Sequence, residues 1–200
     1  MTHTEYTHII FGIFTAAMGT LALHSLRNPA SGTKYVWPVL VFLLGFFLFI
    51  PTETQERTYT ELGPWQTFLS AFPNSLDVWL ESLKKFHVVQ HKAAGFMAMM
   101  LGAIEFGRAK KWLVKPAWGR VFPFLAIGVG LALAIHGGSH AHLPHASEQT
   151  HHWVLGMSFA GGGLALGLAQ AGILKRPFWS MLWAVLVLIA GLDMALFYRV

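Results

Sequence analysis

The chain has 200 residues, 54% of them hydrophobic and only 12% charged, where a soluble domain carries about 25% charged residues. Long apolar runs at so low a charge point to lipid as the surrounding solvent and argue against a soluble globular domain. The absence of cysteine excludes thiolate metal sites, iron–sulfur clusters, covalently attached c-type haem and disulfides.

In chain order, six segments near 6–26, 35–50, 87–107, 120–136, 152–174 and 178–198 are long and apolar enough to be read as transmembrane helices. A bilayer leaves no water for open strand edges, and the runs lack the alternation of a closed barrel. The expected fold is therefore an all-α integral membrane protein, about six helices in one bundle forming a single multi-pass domain over 1–200. The N-terminal Met1-Thr2-His3-Thr4-Glu5-Tyr6 has no Lys or Arg and carries an acid, so the first run is read as a retained span rather than a signal peptide. Between the second and third spans, residues 74–85 place Leu76, Trp79, Leu80 and Leu83 at helical spacing, with Asn74 as the expected N-cap. This predicts an amphipathic interfacial helix, an anchor more than a lid. No repeat of 20–50 residues is evident.

Nine of the fourteen Lys and Arg residues fall in three loops: Arg27 and Lys34; Arg108, Lys110, Lys111, Lys115 and Arg120; Lys175 and Arg176. Alternation of six spans puts these loops on one side, which the positive-inside rule makes cytoplasmic, with both termini outside. Eight of the nine acids (Glu5, Glu53, Glu56, Glu61, Asp77, Glu81, Glu148 and Asp193) fall on the outer side or in outer helix halves, leaving Glu105 inner. This separation explains the net charge of +5 without nucleic acid.

Ten of the eleven histidines lie at that same outer face: His3, His8, His87, His91, His136, His140, His142, His145, His151 and His152. Only His24 is inner. His87 and His91 stand one helical turn apart, the spacing at which two imidazoles share a metal. His136 closes the fourth span and His152 opens the fifth. These four are the expected metal ligands, since buried histidines need partners. Asp193 is a costly intramembrane acid. It is read as a further ligand, a partner that orients a histidine, or the counter-ion of Lys92. His3, His8 and His24 are read singly as interfacial residues, and His140, His142 and His145 as a loose metal collector or a linker. Met97, Met99 and Met100 are read as packing residues before copper(I) ligands. Tryptophans Trp37, Trp65, Trp79, Trp112, Trp118, Trp153, Trp179 and Trp183 are read mostly as an interfacial aromatic belt. Small residues along the third and fifth spans, Gly95 and Gly156 among them, leave room for close helix approach or for a flat cofactor.

Gln90-His91-Lys92, leading into a glycine-containing helix that ends at Glu105, resembles the copper resistance D family of bacterial inner-membrane proteins. So does His136-Gly137-Gly138 followed by His151-His152-Trp153-Val154-Leu155-Gly156. The resemblance covers the third to fifth spans. It implies a multi-pass protein of the bacterial inner membrane that handles copper at its periplasmic face, with a periplasmic metal carrier or a larger membrane complex as partner. The layout is also similar to b-type membrane cytochromes, which implies as the alternative a haem b held between His91 and His152. A two-haem electron path needs an inner pair of histidines that the chain lacks. The third reading is an accessory subunit of a larger complex. A carboxylate di-iron enzyme lacks its carboxylates, and no Walker motif is present to drive pumping.

Overall fold

The computed structural model describes residues 3–50, 72–73, 75–136, 146–174 and 177–198, with 3–6, 86, 87, 136 and 146–148 described by backbone alone. Among the described residues there are seven helices and no strand. They are α1 (His3–Arg27), α2 (Thr33–Phe49), α3 (Leu76–Ser82), α4 (Phe86–Ala109), α5 (Pro116–His136), α6 (Ala146–Gln170) and α7 (Pro177–Phe197). Four stretches, Thr7–Arg27, Pro116–Ile135, Gln149–Gln170 and Pro177–Phe197, are long and apolar enough to cross a membrane. α2 is apolar but has only 17 residues. α4 has 24 residues, diluted by polar groups such as Gln90, Lys92 and Glu105.

Local chemistry sets the boundaries. α5 opens on Pro116, whose missing N–H is no loss in a first turn. α6 ends where Gly172 takes a φ of 76°, and the Ile173 N–H turns back to the Leu168 carbonyl. α6 begins at Ala146, earlier than the expected 152, so His152 lies well inside a helix rather than at its edge. Short α3 is capped by Ser75, whose hydroxyl accepts from the Val78 N–H at 3.3 Å. The expected cap, Asn74, lies outside the described residues.

The six long helices close a ring in the order α1, α2, α4, α5, α6, α7 and back to α1. Within it three antiparallel pairs are the most intimate: α1 with α7, α2 with α4, and α5 with α6. Glycine makes them so. A Cβ on Gly12 would stand 2.5 Å from the Ala195 nitrogen, and one on Gly19 2.9 Å from the Ala184 carbonyl. A Cβ on Gly95 would meet the Phe49 nitrogen at 2.8 Å, and one on Gly102 the Pro38 carbonyl at 2.6 Å. A Cβ on Gly156 would meet the Ala134 nitrogen at 2.7 Å, and one on Gly163 the Pro123 carbonyl at 2.8 Å. Backbone touches backbone in each pair, which only glycine allows. The space beside Gly95 and Gly156 is therefore filled by neighbouring helices, the close approach expected as one of two uses for these small residues.

These contacts repeat atom for atom. Gly191, Gly45 and Gly130 in turn lie against the carbonyls of Gly12, Gly95 and Gly156. The aromatic residues Trp183, Trp37 and Phe122 each precede one of these glycines by eight positions, and all three are buried. The ring is thus a pseudo-threefold assembly of two-helix units, with the last unit joining the two ends of the chain. Equivalent positions recur at intervals longer than 50 residues, outside the 20–50-residue range in which no repeat is evident.

Outward, the ring is apolar. Phe124 (74% exposed), Leu131 and Ile135 share one face of α5, while Phe96 and Met100 on α4 and Phe42 and Phe46 on α2 are exposed likewise. Inward, Trp37, Phe122 and Trp183 meet edge to face or tilted, with ring centres 4.8–6.1 Å apart. Trp37 and Trp183 therefore belong to the core and not to an aromatic belt, whereas Trp112 and Trp153 are exposed. The gap left on the axis is about 20 Å³ and presents no polar atom. That is room for about one water with nothing to bind it.

The antiparallel order gathers Arg27, Lys34, Arg108, Lys110, Lys111, Lys115 and Arg120 at one end of the ring. There Lys110 of α4 lies over the Tyr35 ring of α2 at 4.6 Å. The histidine-bearing helix ends gather at the other.

Candidate metal centre

Three helices meet at the histidine end. α6 carries His151 and His152, α1 carries His8, and α7 carries Asp193. His151 donates from Nδ1 to the Asp193 carboxylate at 2.7 Å. This fixes the ring's tautomer and turns Nε2 away from the acid, the arrangement that orients histidines toward metals. The contact gives Asp193 a histidine partner, one of the three arrangements expected for it. Lys92 does not serve it: its ammonium donates to the Phe49 carbonyl at 2.9 Å, at the negative end of α2.

His8 lies between two rings. It stacks on Tyr198 with centroids 4.2 Å apart and meets His152 edge to face at 5.4 Å. Tyr198 also lies 5.2 Å from the His151 ring. His151 and His152 are both buried, at 9% and 5% exposure, so their rings sit in protein and not in an interfacial layer.

Of the expected ligands, His152 is in this group and Asp193 supports it. His91 is half-buried on α4, across the ring. His87 and His136 are placed in helices, and their side chains lie outside the described residues, as do His140, His142 and His145. His8 and His151 are the members that sequence reasoning missed. The signal for His151 was its place one residue before an expected ligand. For His8 it was a pattern shared with two other helices. Among the described residues no three His, Asp or Glu side chains stand close enough, as they lie, to enclose an ion.

The short helix α3 is fastened near this end. The Trp79 indole N–H donates to the Phe49 carbonyl at 3.3 Å, its ring packs on Phe49, and the Lys92 ammonium lies 4.8 Å from its centre. One carbonyl at the end of α2 thus receives both α3 and α4. Leu76 and Leu80 of α3 remain exposed.

Compared with family models, with curated proteins and with solved structures, the chain finds no match.

Proposed function

We propose that this is a six-span membrane protein that binds a metal ion, copper foremost, at the outer end of its helical ring. The observation that carries the reading is the convergence of His8, His151, His152 and Asp193 from three helices. Imidazole suits copper and zinc, and copper binds most tightly of the divalent first-row ions. The resemblance to the copper resistance D family favours the same ion. The six-span count rests on the apolar outer faces of α2 and α4, which match those of the four helices long and apolar enough to cross a membrane. Orientation rests on the basic loops at the opposite end, which under the positive-inside rule favour the periplasmic side of a bacterial inner membrane for the histidines. With the axis filled by three aromatic rings, metal enters and leaves at the same face. A periplasmic carrier is the natural partner.

The test is an optical spectrum, oxidised and reduced, with elemental analysis, on untagged protein in mild detergent. Copper without a Soret band, lost when His151 and His152 are both replaced, is the expected result. A Soret band with stoichiometric iron makes the protein a b-type cytochrome instead. A colourless, metal-free sample leaves the accessory-subunit reading.

A further inference from the structure

We infer that His8, His91 and His152 are three equivalent ligands of one metal ion, held where the pseudo-threefold axis leaves the histidine end of the ring. This rests on the metal-binding reading above and names the ligand set.

The register comes first. On α1, α4 and α6 a histidine is followed by glycine four and eleven residues later: His8, Gly12, Gly19; His91, Gly95, Gly102; His152, Gly156, Gly163. Each of these six glycines sits on the corresponding backbone atom of its partner helix. Glycines in backbone contact set both the rotation and the height of a helix, because neither can change without a clash. The three histidines are therefore carried at the same height and rotation. They also lie at matching depth, with α1, α4 and α6 beginning at His3, Phe86 and Ala146.

The second observation is where those positions point. α7 stands between α1 and α6 in the ring, yet the His8 and His152 rings are 5.4 Å apart. They meet on the inside of the ring. The third is the layer beneath. Phe11, Ala94 and Leu155 each follow one of the histidines by three residues, and all belong to a single apolar cluster. One turn below the histidines, α1, α4 and α6 already converge, so His91 is delivered to the same centre. The three rings do not enclose an ion as they lie. His8 rests on Tyr198. Closing the site needs rotation about side-chain bonds and no movement of the helices.

Three neutral imidazoles above an apolar floor suit a d¹⁰ ion, Cu(I) or Zn(II), with its remaining position open outward. The floor holds no titratable group, and the Met97 and Met194 thioethers within it are soft donors that favour Cu(I) over Zn(II). The His151–Asp193 pair lies beside the site on α6 and α7, where it fixes one wall.

The experiment titrates the untagged full-length chain in mild detergent with Cu(I) under ascorbate, and separately with Zn(II), against a colorimetric competitor. H8A, H91A and H152A are each expected to weaken binding about tenfold or more and by similar factors, while H24A leaves it unchanged. Wild-type affinity in H91A, beside losses in H8A and H152A, overturns the triad and leaves metal binding standing. Uptake of neither ion by the wild type overturns both. X-ray absorption on the loaded wild type needs no variant: three imidazoles at the ion support the triad, and two or fewer overturn it. Comparison of the two ions decides which the site prefers.

Discussion

His151 and Lys92 show how single buried polar groups are committed in this chain. The His151 ring is held by Asp193, so the effect of an Asp193→Asn exchange is predictable. The amide keeps the shape but loses the charge: with His151 as a ligand metal affinity falls about 10–100-fold, whereas with His8, His91 and His152 as the ligands, the expected outcome, it stays within about tenfold. A competitor titration reads it; unchanged affinity would place the ion away from His151. Binding is also expected to weaken as pH falls, because protons compete for the same imidazole nitrogens. Lys92 is only 3% exposed and serves the last carbonyl of α2. Lys92→Met removes that bond and is expected to cost about 1–3 kcal/mol, read as a lower Tm in detergent. At this scale the sequence exposed much. The i,i+4 pair on α4, the unusual Asp193 and the outer crowding of histidines were all legible. The choice among three roles for Asp193 was not, because it depends on which helix stands beside α7.

Among helices, the decisive contacts are made by glycine. Gly156 meets α5, and Gly191 meets α1, at backbone atoms, so neither has space for a side chain. Gly156→Leu and Gly191→Leu are each expected to destabilise by about 1–3 kcal/mol or more through overpacking. Thermal unfolding in detergent checks this; Gly32, with open space around it, is the control at which alanine should be neutral. Helix positions were legible from hydrophobicity to within a few residues, except the start of α6. There Ser147, Glu148, Gln149 and Thr150 read as loop, and the helix nonetheless continues through them. Polar composition hid the helix's first turn.

Across the whole molecule, an even number of long antiparallel helices puts the start of α1 and the end of α7 at the histidine end. There the α1–α7 contact closes the ring. Reporter fusions at each terminus are expected to signal the periplasm, and a cytoplasmic signal from either one would reverse the orientation. The aromatic layer of Trp37, Phe122 and Trp183 has a matching consequence. Proteoliposomes of the wild type are expected to show no copper or zinc flux. Trp183→Ala, which removes a ring at 5% exposure, is expected to cost about 3–5 kcal/mol in stability. Flux through the wild type would show that the axis opens.

By itself the sequence determined the apolar, helical class, the approximate helix positions and the end at which histidine collects. Each follows from composition and local periodicity, which need no knowledge of neighbours. Tertiary structure decided which histidines meet. His8 and His152 lie at opposite ends of the chain, and only closure of the ring through α7 brings them together. It also decided that Trp37 and Trp183 face inward, and that Gly95 and Gly156 seat helices. The threefold repeat is written in the sequence as glycine and histidine spacings, but the units are unevenly spaced and one is split between the two termini. A linear reading has no reason to align α1 with α4 and α6; the shared backbone contacts supply it.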